Sequence, residues 1–321
     1  MEAQAQTQHP DASSHAATVR AKGLRKSYGA FTAVDGIDFE TRPGECFGFL
    51  GPNGAGKTTT MRMIGCSTPV GGGELEVLGI PVARDRRAVK RALGVVPQED
   101  NLDLELTVRE NLEVYGRFFD YSRTEVRSRI EQLVEFVQLR EKLDVSVRFL
   151  SGGMKRRLLI ARGLINQPKV LILAEPTTGL DPQSRHLVWE KLRQLKSENR
   201  TLLLTTHYMD EAEQLCDRLL VMERGRVLAE GRPRDLIREH VSRDVVELHG
   251  ARAAREEALS RYRERVTGFE MLEEKLMLWS NDGDGLLHDL TGRRIAGVEF
   301  HSRRAGLEDV FLKLTGRSLT E

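Results

Sequence analysis

Cys46-Phe47-Gly48-Phe49-Leu50-Gly51-Pro52-Asn53-Gly54-Ala55-Gly56-Lys57-Thr58 sets an apolar run directly against a glycine-rich loop that ends in lysine and threonine. The apolar half reads as a short buried strand. Glycines at 51, 54 and 56 permit the dihedrals that turn successive backbone N–H groups inward, and they let phosphates approach the main chain closely. Lys57 supplies a positive charge for the β- and γ-phosphates, and the Thr58 hydroxyl is placed for Mg²⁺. A helix opening at Gly56 and running through Thr59 directs the positive end of its dipole at the same anion. Strand, loop and helix in this order predict an α/β nucleotide-binding fold whose ligand contacts run from Gly51 to Thr59.

Two further stretches narrow that reading. In Leu150-Ser151-Gly152-Gly153-Met154, Ser151 is a good N-cap, and Met154 to Ile165 is helix-compatible with Leu158, Leu159 and Leu164 as apolar members. A serine and two glycines at a helix start form an anion-binding surface of hydroxyl, N–H groups and dipole. Val170-Leu171-Ile172-Leu173-Ala174-Glu175 is a second apolar strand with an acidic end, where a carboxylate is placed to act as general base. A phosphate loop by itself leaves kinases, GTPases and motor ATPases open. With Leu-Ser-Gly-Gly and the acidic strand end added, the chain resembles the ATP-binding cassette of ABC transporters.

That resemblance implies specific roles. ATP is sandwiched between two copies, with Ser151, Gly152 and Gly153 presented to the γ-phosphate on the partner. Tyr28 matches the aromatic that stacks on adenine. Gln98, after the strand pattern Gly94-Val95-Val96-Pro97, matches the glutamine that contacts Mg²⁺ and senses the transporter. Glu175 matches the general base, Asp181 the loop that communicates across the dimer, and His207 the γ-phosphate histidine after Thr201-Leu202-Leu203-Leu204-Thr205-Thr206. One position departs from the pattern. The family reads Asp-Glu-Pro after this strand, whereas this chain has Ala174-Glu175-Pro176. Alanine neither accepts hydrogen bonds from waters on Mg²⁺ nor adds negative charge beside the ion. Binding of ATP is expected to survive this change, and fast hydrolysis is not.

Composition agrees. The chain has 321 residues, 40% of them hydrophobic, enough for about two domains with a core. A formal net charge of +1 predicts no strongly attractive surface for nucleic acid. Cys46, Cys66 and Cys216 have neither metal-site nor disulfide-framework spacing, which points to a reducing cytoplasm. No apolar stretch approaches the ~20 residues that span a bilayer, and residues 1–17 read as a polar tail without a signal-peptide pattern. The expected place is peripheral, on the cytoplasmic face of a membrane.

Along the chain, residues 18–97 alternate strands, turns and one helix. Residues 99–165 are mostly helical, with capping boxes at Thr107-Val108-Arg109-Glu110 and Ser122-Arg123-Thr124-Glu125. Val126, Ile130, Leu133, Val134 and Val137 form one apolar stripe. The α/β pattern then resumes, and Arg226-Val227-Leu228-Ala229 continues an antiparallel signal from Leu219-Leu220-Val221-Met222. The cassette is expected over 18–239 and a small α/β accessory domain over 240–321. In that last part, Leu272 to Trp279 suggests a strand, Leu307, Val310, Phe311 and Leu314 one helix face, and Arg303-Arg304 a solvated turn.

Three more stretches sharpen the resemblance. Asn101 to Leu112 looks like the post-glutamine segment of drug- and polysaccharide-type exporters. Arg185 to Glu190 and Leu307 to Gly316 are similar to the ATPases of nodulation-factor exporters, and relatives that export antibiotics share these stretches. The resemblance implies export of a lipo-chitin oligosaccharide or another amphiphile through a separate ABC-2 type permease. The alternatives are a drug exporter ATPase and a nucleotide-gated module with little hydrolysis.

Overall fold

The computed structural model describes residues 17–292 and 297–316. The expected tail, residues 1–17, lies outside the described residues except for residue 17. Five strands run parallel in a central sheet, in the order Arg218–Glu223, Cys46–Leu50, Thr201–Thr206, Val170–Ala174, Leu93–Val96, and Arg226–Gly231 adds an antiparallel edge. The parallel strands read as near-continuous apolar runs because both faces of such a sheet are covered. All five residues of Cys46–Leu50 are buried, as are all six of Thr201–Thr206.

A second, antiparallel sheet has the order Phe31–Thr41, Val19–Tyr28, Gly72–Val77, Ile80–Pro81. It shares with the phosphate-loop strand and helix Lys57–Ile64 a core that includes Phe39, Phe47, Phe49 and Met63. This region holds two helices rather than the single one expected. The extra helix, Arg86–Ala92, is rich in arginine and lysine, buries only Val89 and is capped by the Asp85 side chain, so its apolar signal is minimal.

Both predicted capping boxes are formed, at Thr107 for Val108–Gly116 and at Ser122 for Arg123–Phe136. The five-residue stripe from Val126 to Val137 is buried. The serine-capped helix spans Gly152–Gly163, starting two residues earlier than the apolar pattern because its first turn is glycine.

A third sheet, entirely antiparallel, has the order Gly268–Met271, Lys275–Ser280, Asp244–Gly250, Val298–Arg304. The strand expected from Leu272 begins at Lys275, since Leu272 donates its N–H to the Lys275 carbonyl in a tight turn. One face of this sheet, with Val246, Leu248, Leu276 and Leu278, packs on Ala258, Tyr262, Leu286 and Leu290 of two helices. The other face, with Val245, Met277 and Trp279, joins the main core together with Leu307, Val310 and Phe311 of helix Leu307–Thr315. That helix packs on Pro233–His240 and Met209–Leu215.

The solvated turn expected at Arg303-Arg304 is not found. Both residues lie in strand Val298–Arg304. Arg303 bonds the buried Asp309 carboxylate through two nitrogens at 2.7 Å each and Glu247 at 2.8 Å, and Arg304 pairs with Asp244 at 2.6 Å. Burial works against the Glu247 charge, but hydrogen bonds from Lys275 and Arg303 outweigh it and hold its carboxyl below the usual range. The two arginines read as surface because their carboxylates come from distant strands and the next helix.

Candidate functional site

Loop, helix and sheet edges converge on one cleft of about 140 Å³, lined by Phe31, Ala33, Asn53 to Thr59, Gln98 and Glu175. Its floor is the turn after the phosphate-loop strand. Gly56 is the N-cap of helix Lys57–Ile64 at φ 103°, a left-handed conformation, and a Cβ there would fall 2.5 Å from the Ala33 carbonyl oxygen. Only glycine fits. Lys57 is buried, and its Nζ donates to the Gly51 and Pro52 carbonyls at 2.6 and 3.0 Å, so the loop's own main chain fixes the ammonium. Burial pulls its pKa below the ordinary lysine value, and the Glu175 charge partly restores it.

Glu175 follows strand Val170–Ala174 with φ +46°. A non-glycine residue in this region is costly and persists only where the surroundings hold it. Its N–H donates to the Thr205 carbonyl at 2.9 Å, and its buried carboxylate accepts from Gln98 Nε2 and Thr178 Oγ1, each at 3.1 Å. His207 Nδ1 lies 3.4 Å from the same Oε2, too poorly aligned to bond. Three side chains from three segments thus meet at one carboxylate oxygen. Gln98 spends its N–H₂ on Glu175, which leaves its carbonyl oxygen without a role in that bond. That oxygen and the Thr58 hydroxyl, both on residues lining the cleft, are hard oxygens of the kind that would suit Mg²⁺. Ala174 contributes only main chain: it pairs with Thr205, and its carbonyl accepts from Arg156 at 2.6 Å.

Other expected residues lie apart from the cleft lining. Tyr28 does not line it, although its hairpin partner Phe31, 60% exposed, does. The sequence pattern pointed to the tyrosine and passed over the phenylalanine three residues later, because pairing across a hairpin decides which ring faces the cleft. Ser151 and Gly152 are exposed and also absent from the lining. Ser151 Oγ accepts from the Met154 N–H at 3.3 Å, which makes it the cap that its sequence position suggests.

Asp181 caps helix Pro182–Ser197, accepting from Ser184 N at 2.9 Å and Ser184 Oγ at 2.6 Å, and these bonds hold its carboxyl below the usual range. The same Ser184 meets Gly153, where a Cβ would fall 2.4 Å from its Oγ. The Asp181 turn and the serine-capped helix are therefore in direct contact. Sequence reasoning also missed Arg156, a buried guanidinium beside the Gln98 and Glu175 segments. Burial lowers its pKa to about 10 against the opposing charges of Glu211, Glu175 and Asp100. Lys155-Arg156-Arg157 reads as a charged helix face, and only the tertiary contacts separate the middle residue from its neighbours.

Residues 34–178 match the ABC transporter family, and residues 251–316 match the C-terminal domain of Nod factor export protein NodI. Nod factor export ATP-binding protein I of Rhizobium meliloti (strain 1021) is 52% identical over 93% of this chain and 88% of its own length. The protein of the same name from Mesorhizobium japonicum is 49% identical over 97% and 90%. Among solved structures, the dimeric post-hydrolysis state of the ATP-binding cassette MJ0796 with ADP and Pi superposes with a TM-score of 0.61 at 27% identity, covering 67% of this chain and 98% of that one. CbiO1 from Clostridium perfringens, part of the transporter complex cbiONQ, gives 0.65 at 27% identity, covering 70% and 91%. No helix among the described residues is long and apolar enough to cross a membrane.

Proposed function

The chain belongs to the Nod factor export ATP-binding protein I family of ABC transporter ATPases, and from that membership we propose that it binds and hydrolyses MgATP to drive nodulation-factor export through a separate ABC-2 type permease. The observation that carries this reading is similarity running through both parts of the chain, cassette and C-terminal region alike. The subunit works as a peripheral protein on the cytoplasmic side of the membrane, paired with a second copy.

The part proposed for each residue combines its place in the structure with its match to the family pattern. The main chain from Gly51 to Thr59 and the helix dipole hold the phosphates, and Lys57 swings from its carbonyls to the β- and γ-oxygens. Phe31 and Tyr28, paired across one hairpin, offer aromatic surface to the base. Thr58 and Gln98 would hold Mg²⁺, which would neutralise charge on the transferring phosphoryl group. Glu175 accepts the proton of the attacking water, and His207 steadies the γ-phosphate beside it. Ser151, Gly152 and Gly153 serve the nucleotide of the partner copy, with Asp181 behind them through Ser184.

The reading is tested by export. A strain that makes radiolabelled lipo-chitin oligosaccharide but lacks its own export ATPase is given this chain with its cognate permease. Label appears in the medium with the parent chain and not with Lys57→Ala. Retention of the label with the parent and with Ala174→Asp alike, with the subunit present at the membrane and the aspartate form releasing phosphate, overturns the substrate. Ala174 favours a second reading, a module that closes on ATP with little turnover, which is distinguished by measuring phosphate release.

A further inference from the structure

Arg156 lies five residues after the serine cap of helix Gly152–Gly163 and is 7% exposed. A guanidinium has five N–H donors in a fixed plane and no acceptor. All five directions are used. Nε donates to the Pro176 carbonyl at 2.7 Å. One terminal nitrogen donates to Pro97 at 2.5 Å and Gln98 at 3.4 Å. The other donates to Ala174 at 2.6 Å and Glu175 at 2.7 Å. Among the described residues no carboxylate stands within ion-pair distance of it, so its partners are main chain on two segments and nothing else. Those segments carry Gln98 and Glu175, whose side chains bond each other at 3.1 Å.

We propose that Arg156 is a positioning residue that locks the Gln98 and Glu175 segments, as one unit, to the helix whose first turn serves the partner's nucleotide. Three observations combine. Glu175 sits at φ +46°, where something must hold it, and Arg156 takes its carbonyl and the carbonyls on both sides of it. The same fork takes the carbonyls of Pro97 and Gln98. The helix that bears Arg156 presents Ser151 and Gly152 at its exposed end. A shift of that helix against a partner therefore moves the water-polarising carboxylate of the chain's own site. Lysine cannot substitute, because an ammonium is a point donor of three bonds and cannot span two segments.

The proposal rests on the ATPase reading above. Its test is steady-state phosphate release and ADP binding by the parent, Arg156→Lys, Glu175→Gln and the double variant, each also made with Ala174→Asp to raise the signal. Arg156→Gln, with two planar donors, is the second substitution. Expected are a loss of kcat of at least about ten-fold in Arg156→Lys with the KM for ATP and ADP affinity within about three-fold, and a further loss of less than about two-fold when Glu175 is already Gln. Unchanged kcat, equal losses in both backgrounds, or failure of both Arg156 variants to bind ADP overturns the proposal, the last assigning Arg156 to folding alone. If neither the parent nor Ala174→Asp releases phosphate, the ATPase reading falls and takes the proposal with it.

Discussion

In the ATPase proposed above, position 174 would carry a carboxylate beside Mg²⁺, and alanine has none. The alanine ends its strand beside Glu175, and Arg156 holds its carbonyl. Losing one preorganised electrostatic partner at a reacting centre commonly costs on the order of 10²–10³ in rate. Ala174→Asp is therefore expected to raise Mg²⁺-dependent phosphate release by at least tens-fold at saturating ATP, with ATP affinity nearly unchanged. A parent that already turns over as fast as the aspartate form would show that another group does this work.

Glu211 gives a pH prediction at the same scale. It is fully buried, and its Oε1 accepts from Thr177 Oγ1 at 2.6 Å and Trp189 Nε1 at 3.1 Å, tying down the turn that follows Glu175. Burial raises its pKa against the hydrogen bonds of Thr177, Thr206 and Trp189, and the neighbouring Asp210 adds to the rise. A raised carboxyl pKa means that the folded state holds its proton longer than the unfolded one, so this contribution is full below the ordinary value of 4.5 and is lost as pH rises through the folded value. Glu211→Gln keeps the acceptor oxygen and removes the titration. Melting curves from pH 5 to 8 should show the glutamine form gaining on the parent as pH rises, and a constant gap would count against the assignment.

The strand, glycine-rich loop and helix at the cleft floor were legible in the sequence because their signal is local: glycines, lysine and threonine stand within a few residues of one another. The left-handed backbone at Glu175 and the contacts of Arg156 were not, since both depend on which strands lie side by side.

At the scale of elements, caps declared themselves and strand partners did not. Thr107-Glu110 and Ser122-Glu125 are complete within four residues, so their capping boxes follow from sequence alone. The Arg303 and Arg304 partners Glu247 and Asp244 are set by the register of Asp244–Gly250 against Val298–Arg304, which no short pattern contains, and Asp309 comes from the helix that follows.

The helix Gly152–Gly163 supplies the sharpest contrast between two adjacent glycines. Gly153 is required within the chain, because Ser184 fills the space a Cβ would take. Gly152 meets nothing within 4 Å, so nothing inside one copy demands it. Alanine there should cost the monomer nothing and should favour the helix by up to ~1 kcal/mol. If the exposed first turn closes on a partner's nucleotide, Gly152→Ala will abolish the ATP-dependent rise in sedimentation coefficient while its own ATP binding and melting temperature hold or improve. A variant that still dimerises with ATP would exclude this turn from the contact.

For the whole molecule, the cassette and the region expected over 240–321 meet across shared core rather than across a linker. Val245, Met277 and Trp279 from the third sheet, and Leu307, Val310 and Phe311 from the last helix, belong to one buried cluster with Leu215 and Leu236. Glu213 seals the contact by accepting the Leu307 N–H at 2.7 Å. A shift in composition near residue 240 is what suggests a boundary there, and the intimacy of the contact was not legible, because the final helix reads like any amphipathic segment until its partner is known. We expect calorimetry to record a single endotherm for the intact chain, whereas two resolved transitions would mean that the halves unfold separately. A chain cut near residue 243 would then be a wounded protein rather than a minimal one. It would keep every group of the nucleotide cleft yet expose Leu215 and Leu236, and it would tend to clump in solution before its chemistry could be measured.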